Sequence, residues 1–126
     1  MKLIITTSIK KIELEPIQKV FSLEMVKIAA EKALEGLGEK IKSAQKIPAT
    51  SLQKLYLTSS HGAGRAIFLL KIGMKTSVLV MIRMKNDKKV GSNMTIKNQS
   101  FKIALEKNLE RILKDLKNAD YEEYVL

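Results

Sequence analysis

Cysteine and tryptophan are absent from this chain, histidine occurs once, at His61, and proline only twice. Without cysteine there is no disulfide framework and no thiolate zinc site. One imidazole cannot hold a structural metal alone, so no metal or cofactor is expected, and an intracellular, cytoplasmic home is. Aromatic residues make up 5%, which leaves few platforms for base stacking of the OB-fold or RRM kind. Long apolar runs are missing too. No window approaches the ~18 apolar residues of a membrane span, and MKLIITTSIKK holds only the short burst Leu3 to Ile5, so neither membrane nor secretion signal is expected. Acid is the scarce charge: 13 Asp and Glu stand against 23 Lys and Arg. The net charge of +10 favours a polyanionic partner, nucleic acid or a nucleoprotein surface.

What is present is ample apolar residue, 45% of 126 positions, enough for one domain with a real core. The longest apolar runs are Ala66 to Ile72 and Thr76 to Met84, with Gly73 between them. That is a hairpin pattern. A loop of Gly73, Met74 and Lys75 pairs Leu70 with Val78, Phe68 with Val80 and Ala66 with Ile82 on one apolar face, expected to be buried under a helix beginning near Leu23. The other face pairs Leu69 with Leu79, Ile67 with Met81 and Arg65 with Arg83, and continues to Lys85. Like charges directly opposite on a sheet repel. Two arginines side by side are therefore explained either by a bound anion or by a solvated strand rim.

Around the hairpin, Lys2 to Thr7 has the β-branched content of a first strand. Ile9 to Phe21 reads equally as a short strand before Pro16 or a helical turn begun by it. Ser22 suits the N-cap of a helix running to about Ser43, with Leu23, Val26, Ala30, Ala33, Leu34, Leu37 and Ile41 in one stripe. Pro48 ends helix in the KIPATS loop, and a strand is expected from about Gln53 or Lys54 to Thr58. SSHGAG then forms a turn before Arg65, matching neither phosphate-loop glycine pattern. Its His61 is a candidate general acid or base. Asn86 to Asn98 reads as a basic loop carrying Lys88, Lys89 and Lys97. Asn98 caps a last helix from about Gln99 to Lys117, and an acidic tail, ADYEEYVL, either folds back on basic surface, docks elsewhere or frays. The layout is α+β: an antiparallel sheet with helices packed on one face.

The run KLYLTSSHGAGRAIFLLKIGMKTSVLVMIRMKND resembles the sheet region of the RelE/ParE toxin superfamily, particularly HigB-like members. In those proteins a Gly-Arg opens a strand, an apolar hairpin follows and a basic pair closes the next strand. The resemblance covers roughly Lys54 to Lys89. It implies a RelE-like fold and a small basic ribonuclease that cleaves mRNA, usually on the ribosome, and is silenced by a cognate antitoxin; some members poison DNA gyrase instead. Under it, Arg65 matches the arginine that grips the scissile phosphate, Lys85 or Lys88 supports it, and Lys54 lies where the family has a basic residue able to move protons. The tyrosine or histidine that several relatives carry after the basic pair is missing, since the chain reads KKVGSNMT there.

Three classes of function are open to these residues. One is a metal-independent endoribonuclease using Arg65, Arg83, Lys85, Lys54 and His61, with Lys88, Lys89 and Lys97 holding RNA. Guanidinium forks suit the phosphorane charge, and a lysine or His61 suits proton transfer. The second is a non-catalytic module that holds nucleic acid on the same face, and the third a structural subunit whose charge keeps it dissolved.

Overall fold

The computed structural model describes residues 1–42, 47–95 and 97–126. The β-branched opening forms strand β1, Lys2–Thr6. The chain then coils tightly through α1, Thr7–Ile9, a π-helical turn, Lys10–Leu14, and a 3₁₀ turn, Glu15–Ile17, that holds Pro16 where its missing N–H costs nothing. Helix α2, Leu23–Leu34, starts at Ser22, whose hydroxyl oxygen accepts the Met25 N–H. It stops well short of the expected end. Gly36, at φ +80, takes the chain out of the helix, and Glu39–Ile41 forms strand β2 instead. The helix end expected at Ser43 lies outside the described residues.

Strands β3, Ser51–Ser59, β4, Gly62–Lys71, and β5, Thr76–Met84, follow as a meander, then helix α3, Gln99–Lys117, capped by the Asn98 side chain, and strand β6, Tyr121–Val125. Among the described residues, six strands form one sheet ordered β2-β3-β4-β5-β1-β6, in which only the β1–β5 pairing is parallel. The class is α+β, with a mostly antiparallel open sheet and three helices.

Helices cover both faces of this sheet rather than one. Helix α2 lies over Leu55 and Leu57 on one side, where Phe68 is fully buried. Helix α3 lies on the other, where Phe101 and Met94 lie beside Lys54 and Asn108 Nδ2 donates to the Val80 carbonyl at 2.9 Å. That is why Ala66 to Leu70 and Val78 to Ile82 are continuous apolar runs: neither face is left for water. No helix among the described residues is long and apolar enough to cross a membrane.

The hairpin pairs Arg65 with Arg83, Ala66 with Ile82 and Ile67 with Met81, as its pattern suggests. Near the turn the register differs, with Phe68 opposite Leu79 and Lys71 opposite Thr76, across an irregularity between Ile67 and Phe68. The turn is one residue longer than expected, Ile72 to Lys75, with Lys75 left-handed at φ 49. Val80 is the compensating extra residue in β5, a bulge that restores the register at the arginines.

Candidate nucleic-acid interface

Tyr56 on β3, Arg65 on β4 and Arg83 on β5 stand in one row across the sheet. The arginines are adjacent, but their side chains have different fates. Arg83 turns its guanidinium onto Glu13 from the π-helical turn, with Nε to Oε1 at 2.8 Å and Nη2 to Oε2 at 2.7 Å, and reaches Asp87 through Nη1 at 3.4 Å. Glu13's hydrogen bonds hold that guanidinium above its ordinary pKa, against the opposing effect of burial. The fork that would have gripped a phosphate is filled by a carboxylate. Arg83 is thereby corrected from candidate catalytic residue to structural ion pair, and the repulsion expected between the two arginines is answered from within.

Arg65 is half-buried, and its Nη1 donates to the Gly91 carbonyl at 2.8 Å. A side chain at Gly91 would strike the Met84 carbonyl, so glycine is what lets this loop come close enough to hold the arginine. Among the described residues, the Arg65 Nε is buried and has no acceptor. The guanidinium lies over the Tyr56 ring, Cζ to centroid 5.3 Å, and Lys54 Nζ sits 5.6 Å from the same centroid. Tyr56 is 61% exposed. An exposed aromatic ring beside Arg65 is suited to stack a base while the guanidinium meets phosphate.

The other candidates scatter around this pair. Lys54 is only 6% exposed and pairs with Glu39 on β2 at 3.4 Å, so its ammonium is engaged from the edge of the sheet. Lys85, Lys88, Lys89 and Lys97 are exposed. Lys85 and His61 line one shallow groove of about 420 Å³ with Gly62, Ala63, Met84 and Asn86. His61 is exposed in the β3–β4 turn, where its N–H donates to Ser59 Oγ at 3.1 Å. The face expected to stand open to solvent is instead roofed beyond Arg65 by residues 85–95 and α3. The usable surface is the rim at Tyr56, Thr58, Arg65 and Lys85.

Tyr56 is absent from the sequence-derived set because low aromatic content argued against stacking. Its alternation with Lys54 and its register opposite Arg65 were the available signals. Glu13, which governs Arg83, had none, since nothing local tells an inward carboxylate from a solvated one.

No known protein family, curated protein or solved structure matches this chain.

Proposed function

We propose that the Tyr56–Arg65 rim holds single-stranded RNA, and that the protein is the toxin of a toxin–antitoxin pair, acting in the cytoplasm on mRNA at the ribosome and silenced by its antitoxin. The observation that carries the binding step is the contrast between the two arginines: the Arg83 fork is closed by Glu13, whereas the half-buried Arg65 is held through Nη1 on the Gly91 carbonyl and lays its guanidinium over an exposed ring. A guanidinium without a carboxylate partner among the described residues suits a phosphate. The net charge of +10 supplies attraction that does not depend on sequence. The toxin role rests on the RelE/ParE resemblance over Lys54 to Lys89.

Cleavage of the held strand is the second reading, favoured by His61 and Lys85 lining one groove beside the rim. In it, the imidazole takes the proton of the 2′-hydroxyl, the 2′-oxygen attacks phosphorus, the bond from phosphorus to the 5′-oxygen breaks as that oxygen takes a proton from the Lys85 ammonium, and Arg65 offsets the phosphorane charge. No metal takes part in that sequence.

Binding of a labelled single-stranded RNA separates these outcomes. Tyr56→Ala should weaken affinity by about 5- to 100-fold, the loss of one stacked base, and Arg65→Ala should also weaken it, while Lys114→Ala on the exposed side of α3 changes little. Affinities within twofold of wild type for both rim variants would remove the site. Incubation with mRNA in EDTA, with and without ribosomes, then decides for cleavage or for binding alone.

A further inference from the structure

Among the described residues, two interior strands of the sheet, β3 and β5, run past the ends of their neighbours, and only β5 is closed there from within. On β5, beyond the last β1 partner at Val78, the outward Ile82 N–H donates to Glu13 Oε1 at 3.1 Å and the Val80 carbonyl accepts from Asn108. On β3, strand β2 pairs only with Leu52, Gln53 and Lys54, leaving Leu55 to Ser59 without a neighbour. The direction of the backbone groups there follows from the ladder. Lys85 N–H donates to the Ala63 carbonyl at 2.8 Å, so Ala63 turns its backbone groups to β5, and its β3 partner Thr58 turns its own away from β4. Two residues back, Tyr56 does the same. Among the described residues these outward N–H and C=O groups are bonded to nothing.

We propose that the β3 edge from Leu55 to Ser59 is a strand-addition site for an extended, acidic segment of a partner protein. Unpaired backbone groups on an edge call for another strand. The two faces of this edge set the chemistry of that strand. A partner residue opposite Leu57 turns towards α2, where Met25, Ile28, Lys32, Leu55 and Leu57 help to line a cavity of about 190 Å³, room for one branched aliphatic side chain. Partner residues opposite Tyr56 and Thr58 turn towards Arg65 and Lys85, where carboxylates complement the cations. The segment therefore alternates acidic and aliphatic residues. A second copy of this chain is disfavoured as occupant, because edge-to-edge pairing would bring two such cation clusters together on molecules that each carry +10. An added strand would also lie beside the Tyr56 ring and shut RNA out; only that consequence rests on the RNA reading above.

The test uses the full chain and a short peptide alternating glutamate with valine. Nuclear magnetic resonance should show the Tyr56 and Thr58 amides exchanging with solvent at least ~10-fold more slowly once peptide is added, while the Leu55 and Leu57 amides, already turned to β4, change little. The same peptide N-methylated at alternate amides should not bind, which requires no change to the protein. Thr58→Pro, which removes one outward N–H, should weaken binding at least about tenfold, and Ile28→Glu at the exposed mouth of the cavity should weaken it too. Absence of binding at millimolar peptide, undiminished binding of the N-methylated form, or slowed exchange elsewhere but not at Tyr56 and Thr58 would each overturn the proposal. So would a concentration-dependent dimer whose contact protects those amides, since the edge would then belong to a second copy. Displacement of labelled RNA by the peptide is read separately. If wild-type protein binds no RNA, that arm fails alone and amide protection still decides the strand site.

Discussion

A carboxylate with almost no exposure, Glu13, accepts from Ile82 N, Arg83 Nε, Arg83 Nη2 and Asn108 Nδ2. The need arises because β1 ends at Thr6, leaving a buried N–H on β5 with no strand to receive it. A side-chain oxygen takes the place of a carbonyl. Its charge is balanced by Arg83, which in turn reaches Asp87 at the start of the loop that holds Arg65. Removing one partner of such a pair strands the other in a medium that solvates it poorly. Glu13→Ala should therefore cost about 3 to 5 kcal/mol in chemical denaturation, with Glu13→Gln, which keeps an acceptor for Ile82, costing less. A loss under about 1 kcal/mol for the alanine variant would mean that water reaches and solvates Arg83. Arg83→Ala should be unstable for the same reason, which separates a structural arginine from one that serves only chemistry.

Among the elements, the segment after β5 decides whether Arg65 stays in place. Asp87 organises its first turn: Oδ1 accepts the Lys89 N–H at 3.1 Å and the Val90 N–H at 3.3 Å, and Oδ2 meets Arg83. Partial burial, the largest single influence, pushes the Asp87 carboxyl up, but the Val90 and Lys89 amides and the Arg83 guanidinium together hold it below its ordinary value. A depressed acid contributes order above its unfolded pKa, about 3.9, and loses it as pH falls through the folded value. The Lys89 and Val90 amides should thus lose protection from exchange below about pH 4, after correction for intrinsic rates, and Asp87→Asn should flatten that dependence. Protection unchanged at pH 3 would show that the turn holds without the carboxylate's charge. The sequence revealed this segment only as basic and polar, because turn geometry made by one side chain leaves no periodic trace. The β4–β5 hairpin was legible for the opposite reason, since its apolar runs are long. Even there the longer turn and the Val80 bulge stayed hidden, because their register shifts cancel at Arg65 and Arg83.

At the scale of the molecule, the sheet order sets the basic rim and the acidic tail at opposite edges. The tail is strand β6, paired with all of β1, with Lys2–Glu123 and Lys10–Glu122 ion pairs at 3.2 and 3.0 Å. Burial and its hydrogen bond to Glu122 push the Tyr124 hydroxyl up to about 12. The run DYEEYVL was legible as acidic but not as a strand, because the partner that makes it one lies at the far end of the chain. Tyr56 on β3 and the tail on β6 are separated by four strand spacings, roughly 19 Å. The Debye length at physiological salt is about 8 Å, so the tail's acids are screened from the rim and cannot act there as an RNA mimic. Deleting Asp120 to Leu126 should therefore lower the thermal midpoint, since it strips the cover from β1 and its buried Leu3 and Ile5. The two exposed ion pairs themselves contribute only about 0 to 1 kcal/mol each. RNA affinity at about 0.15 M salt should stay within twofold of the full chain, and only near 0.01 M, where the Debye length grows to about 30 Å, should loss of three acids tighten binding. Tighter binding at physiological salt by a truncated protein that remains folded would show that β6 leaves its edge and covers the rim. The shielding role suggested by its acids would then be correct, and its place in the sheet only one of two.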